Sequence, residues 1–90
     1  MEKQITVDGI DYTYENSFYG WNVNQEVITL KDCDGIVAEA SVDHNMEHIG
    51  VTYYGEYDGD RYTEETSYPY FEYSDDEDLA RWMAATHPAI

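Results

Sequence analysis

One cysteine, two prolines and four lysine or arginine residues are all that this 90-residue chain contains of those types, and no uncharged apolar run exceeds a few residues. Lone Cys33 cannot close an internal disulfide, so a core rather than covalent staples must hold the fold, as expected of a cytosolic protein. Without a long apolar run there is no candidate transmembrane helix. The opening segment MEKQITVDGIDYTYEN also lacks the apolar heart of a signal peptide, which predicts a cytoplasmic location. Lys3, Lys31, Arg61 and Arg81 are too scattered to form a basic patch, which argues against direct binding to nucleic acid or to an acidic membrane.

Against the four cations stand twenty Asp and Glu residues, giving a formal net charge of −16. An acidic disordered tail would be poor in aromatics, yet ten tyrosines and two tryptophans occur and 42% of the residues are hydrophobic. The length fits a single acidic domain over residues 1–90 with one modest core. A surface so self-repelling lowers the stability of the compact state and calls for a basic partner.

The first part of the chain alternates with period two, as half-buried strands do. Ile5 and Val7 share a face, Asp8-Gly9 supplies a tight hairpin turn, and Ile10, Tyr12 and Tyr14 share a face of the return strand. The segment NSFYGWNVNQ reads as a loop that plants Phe18 and Trp21 against the core. A second hairpin joins EVITL to IVAEASV through Lys31 to Gly35, with Ile36, Ala38, Ala40 and Val42 on one side. A third joins IGVTYYGEY to RYTEET through Asp58-Gly59, with Ile49, Val51, Tyr53 and Tyr57 on a common face. From Ser74 the pattern changes: Ser74-Asp75-Asp76-Glu77 reads as a capping box, followed by a helix with Leu79, Trp82, Met83 and Thr86 as its apolar stripe. His87-Pro88 ends that helix. The predicted architecture is α+β: an antiparallel, hairpin-rich sheet of about five or six strands with one C-terminal helix packed on it.

Candidate chemistry is sparse. His44 and His48 stand four apart, but the zinc-protease pattern needs a Glu directly after the first His, and Asn45 stands there. A connection with exposed histidines is the simpler description. Glu56, Asp58 and Asp60 alternate like calcium ligands, yet an EF-hand counted from Glu56 requires Gly where Arg61 stands and Glu where Ser67 stands. Asp32 and Asp34 flank Cys33 and raise a thiol pKa, the wrong direction for a nucleophile. No phosphate-cradling glycine motif occurs. The expectation is a protein without catalytic residues, metal or cofactor.

Charge and aromatics gather instead. Residues 56 to 78 hold ten of the twenty acids: Glu56, Asp58, Asp60, Glu64, Glu65, Glu72, Asp75, Asp76, Glu77 and Asp78. Five of the ten tyrosines lie in the same window, Tyr70 among them. Tyrosine gives contact area at low entropic cost and tolerates water. Carboxylates arrayed on strands and on a helix start imitate part of the charge row of duplex DNA, which carries one charge per about 1.7 Å of axis. The expected binding surface is therefore those ten acids with Tyr70 as an anchor, docked on a groove rich in lysine and arginine.

In size, acidity and lack of catalytic motifs the chain resembles the small phage and mobile-element inhibitors that act as DNA mimics, among them anti-CRISPR and anti-restriction proteins. The resemblance lies in composition over the whole chain and transfers no residue roles. It implies an inhibitor working in the host cytoplasm on a basic nucleic-acid-binding protein, a nuclease such as a restriction enzyme or a CRISPR effector subunit, with homodimerisation left open. The acidic immunity proteins of nuclease toxins are similar in length and charge, so an acidic interaction module or assembly subunit is the alternative reading. A halophile-type housekeeping domain is another, although its acids would be spread evenly.

Overall fold

Six strands follow one another across the sheet in chain order: β1 (Lys3–Val7), β2 (Ile10–Tyr19), β3 (Asn22–Asp32), β4 (Gly35–Asp43), β5 (His48–Tyr57) and β6 (Asp60–Tyr68). Each pairs antiparallel with the next. A 3-10 turn, η1 (Tyr70–Glu72), leads to one helix, α1 (Asp76–Thr86). This computed structural model describes residues 2–19, 22–57 and 59–87, and of residues 19, 22, 23, 56 and 57 the backbone alone. The α+β meander with a C-terminal helix is the architecture that the alternation pattern predicts.

Local chemistry explains the turns. Asp8 and Gly9 both take positive φ, 52° and 79°, the combination that a two-residue hairpin turn demands. Asp32 accepts the amide of Asp34 at 2.8 Å, which tightens the β3–β4 turn before Gly35 at φ 132°. At the β4–β5 turn Asp43 accepts the amides of Asn45 and Met46, both at 3.0 Å, and those amides hold its carboxyl below the usual carboxylate range.

Alternation then sorts the side chains into two faces. Ile5, Tyr14, Ile28, Leu30, Ala38, Ala40, Val42, Ile49, Val51 and Tyr53 are buried on one face, beneath Leu79, Ala80, Met83 and Ala84 of α1. Small residues on both sides, Ala38 and Ala40 below and Ala80 and Ala84 above, let helix and sheet approach closely. Leu79 and Met83 fill the space between and are each 1% exposed or less. Full burial of each such side chain stabilises the fold by about 1.5–3 kcal/mol.

Four details depart from the sequence pattern. The described residues of NSFYGWNVNQ are strand rather than loop: β2 runs to Tyr19 and β3 starts at Asn22, while Gly20 and Trp21 lie outside the described residues. Phe18 is 51% exposed, because it lies beyond Asn16, the residue at which the start of α1 meets β2. Ile36 is 48% exposed instead of inward, because the register shifts between Leu30 and Lys31 and turns the end of β4 over. The helix cap is Asp75, whose carboxylate accepts the amide of Asp78 at 2.9 Å, while Ser74 Oγ bonds to the Asp78 carboxylate. The buried stripe of α1 is Leu79, Ala80, Met83 and Ala84. Trp82 is half-buried beside Tyr68 and Tyr53, and Thr86 is exposed with its hydroxyl turned back to the Trp82 carbonyl.

Candidate functional site

The face opposite α1 carries no covering element among the described residues. Its side chains are set by register: Glu15 stands across from Thr29, Thr29 from Glu39, Glu39 from Thr52 and Thr52 from Glu65. Five strands thus contribute one straight row, Glu-Thr-Glu-Thr-Glu. With strands about 4.8 Å apart, its carboxylates repeat roughly every 9.6 Å. A parallel row of small residues runs beside it, Ser17, Val27, Ser41, Gly50 and Ser67. The glutamates therefore stand above a shallow floor on that side.

Glu39 sits at the centre of the row and is held there. Tyr54 Oη donates to Glu39 Oε1 at 2.7 Å. That bond, with burial and the Glu39 charge, raises the Tyr54 phenol above its ordinary pKa, so the hydroxyl remains a donor. Beyond the row Asp11 accepts from Thr6 at 2.7 Å. Between lysine or arginine and an acid, the ion pairs among the described residues are Lys31 with Glu2 and Arg81 with Glu77.

A second polar cluster ties the start of α1 to the sheet. Asn16 Nδ2 donates to Glu26 Oε1 at 2.8 Å and to Asp76 Oδ2 at 2.6 Å, bridging two carboxylates that would otherwise repel. Tyr73 Oη donates to Asp76 Oδ1 at 2.8 Å; burial and that carboxylate push its phenol well above the ordinary value. His44 spans Glu26 through Nε2 and the Tyr70 hydroxyl through Nδ1. The expected exposed histidine is thus half-buried and engaged at both ring nitrogens, leaving no free ring nitrogen for a metal shared with exposed His48. This cluster docks the connection between β6 and α1 and is structural in character.

The acid-rich window is divided by this fold. Glu64 and Glu65 point to opposite faces of edge strand β6, and only Glu65 joins the row. Asp60 is exposed at the start of β6, while Asp75 caps α1 and Asp76, Glu77 and Asp78 form its first turn, which meets Asn16 on β2, four strands across the sheet from β6. Glu72 is exposed on η1. Tyr70 is half-buried against His44, whereas its neighbour Phe71 is 87% exposed. The Glu56 side chain and Asp58 lie outside the described residues.

Sequence density missed Glu15 and Glu39, which come from the less acidic half. What joins them to Glu65 is strand pairing, and the only signal in the sequence is that each occupies an outward position of its strand. No helix among the described residues is long and apolar enough to cross a membrane. Comparison with protein-family models, curated proteins and solved structures finds no match.

Proposed function

We propose that this protein is an acidic inhibitor that imitates nucleic-acid charge and blocks the basic DNA- or RNA-binding groove of a host defence nuclease, a restriction enzyme or CRISPR effector. The observation that carries the reading is the Glu15–Thr29–Glu39–Thr52–Glu65 row on the uncovered sheet face. Phosphates along one DNA strand rise about 3.4 Å per step, so a carboxylate every 9.6 Å or so matches roughly every third phosphate. The match is sparse, and the acids at the sheet ends add to the field that steers encounter.

Competition is the mechanism. Lysines and arginines that would neutralise phosphates meet carboxylates instead, and the rigid sheet sits where the duplex would lie. No bond is made or broken by the inhibitor. The test is a nuclease cleavage assay against purified restriction enzymes and CRISPR effectors. Wild-type protein should inhibit at least one of them, with inhibition relieved by excess substrate DNA, and Glu15→Lys/Glu65→Lys protein should inhibit weakly. Inhibition that excess DNA leaves untouched would instead favour an acidic module that binds away from the groove.

A further inference from the structure

β6 is one edge of the sheet, paired with β5 on one side and with no strand among the described residues on the other. Natural edges are blunted by being short, by lysine or proline, or by a bulge. The opposite edge, β1, follows that rule with five residues and Lys3. β6 does not: DRYTEETSY is nine residues long, without lysine or proline, and its register along β5 is unbroken. All of it but Tyr62 and Tyr68 is exposed, and Tyr62 leans back across Gly55 of β5, away from the free side.

The free side has a fixed hydrogen-bonding phase. Two residues separate Tyr57 from Asp60, so this pair closes a two-residue hairpin and exchanges its backbone bonds. Bonded pairs alternate along the ladder from there, which leaves the N–H and C=O groups of Arg61, Thr63, Glu65 and Ser67 pointing away from β5.

We infer that this edge pairs with β6 of a second copy, antiparallel, about a twofold axis at Thr63. Arg61 then stands directly opposite the partner's Glu65, and Glu65 opposite the partner's Arg61. Between them Thr63 meets the partner's Thr63, Tyr62 the partner's Glu64 and Asp60 the partner's Thr66. No acid faces an acid among these pairs, and the exchanged backbone bonds fall on Arg61, Thr63 and Glu65, whose groups are free. The phase admits an axis at a residue and not between residues, and the neighbouring choices fail on charge. An axis at Glu64 or at Glu65 sets that glutamate against its own copy, and an axis at Tyr62 sets Asp60 against the partner's Glu64, each a destabilising pair. Arg61 is the sole cation of residues 56–78 and has no ion pair among the described residues, and the five donors of a guanidinium serve more than one carboxylate. The pairing does not rest on the proposed function, since it is made by the edge and leaves the sheet face opposite α1 open in both copies.

Sedimentation velocity up to about 1 mM protein tests the inference. Salt of about 0.15 M screens the repulsion between two copies of charge −16, and a reductant keeps exposed Cys33 from cross-linking them. The expected result is a reversible monomer–dimer equilibrium for the wild type. Arg61→Glu and Glu65→Arg each place like charges opposite one another twice and should weaken dimerisation by about 10-fold or more. Arg61→Glu/Glu65→Arg restores both opposite-charge pairs and should restore the dimer. Glu65→Arg also lowers the net negative charge, so stronger association of that variant would mean that overall repulsion decides, and would overturn the inference. A wild type that stays monomeric, as it would if the edge serves a strand of another protein, overturns it too, as does a dimer indifferent to all three variants or a double variant that keeps the wild-type far-UV spectrum and stays monomeric. In a mixture of isotope-labelled and unlabelled wild-type chains, NOEs between Tyr62 and the partner's Glu64 are the expected sign of the register; NOEs from Glu64 to the partner's Glu64 contradict it.

Discussion

Tyr54 and Glu39 meet diagonally across β5 and β4, phenol to carboxylate at 2.7 Å, on either side of Ala38 and Tyr53, the last pair before the two strands part. The bond fixes the central glutamate of the row. A flat polar sheet face and a splayed strand end are thereby joined through one side chain.

Charge reversal within the row should act on encounter. Glu15→Lys/Glu65→Lys protein is expected to lose about 10-fold or more in association rate with its partner at low salt, with little change in dissociation rate. Glu72→Lys, a change of the same sign on η1, should alter the rate less because it leaves the sheet face unchanged. Stopped-flow or surface-plasmon kinetics measure both.

Helix capping separates two readings of the same four residues. Asp75→Ala should destabilise the protein by about 1 kcal/mol, the usual loss of an N-cap acceptor. Ser74→Ala should cost less, because the serine bonds a side chain and not an orphan amide. Urea denaturation of the two variants decides the order.

Alkaline pH should unfold the protein earlier than burial alone would suggest. Tyr12, Tyr14, Tyr53, Tyr54 and Tyr73 all have phenols raised above the ordinary 10.0. A proton held more tightly in the folded state gives stability that is whole below pH 10 and is lost as pH climbs toward the folded values. Tyr73→Phe should flatten that fall while removing about 1.5–3 kcal/mol at neutral pH, the worth of a hydrogen bond to a charged acceptor. Thermal melts from pH 7 to 11, with phenolate absorbance, follow both effects.

Much of this was legible in the chain. Asp8-Gly9, the alternation around Ala38 and Ala40, and the acids at residues 75 to 78 announce hairpins and a helix because each is a local signal. Ile36 was not, because its outward turn depends on a register shift between Leu30 and Lys31 that no local pattern marks. The row was hidden for the same reason. Density picked out residues 56 to 78, yet a sheet collects residues by pairing, so Glu15, Glu39 and Glu65 meet although fifty positions separate the first from the last.

Gly55 should be irreplaceable for a steric reason. Gly55→Ala must displace the Tyr62 ring and is expected to destabilise by about 1–3 kcal/mol, as overpacking does. Gly55→Ala/Tyr62→Ala, which removes the clash together with the ring, should lose less from the added methyl than the single variant does. A double-mutant cycle by denaturant unfolding gives that coupling.

Wild-type and Glu15→Lys/Glu39→Lys/Glu65→Lys proteins, both immobilised, can be challenged with a nuclease that the wild type inhibits, and then washed with duplex DNA. Nuclease held by the wild type, released by DNA and not held by the triple variant is the expected result. Equal retention by the triple variant, or retention that DNA does not reverse, would contradict a nucleic-acid-like sheet face.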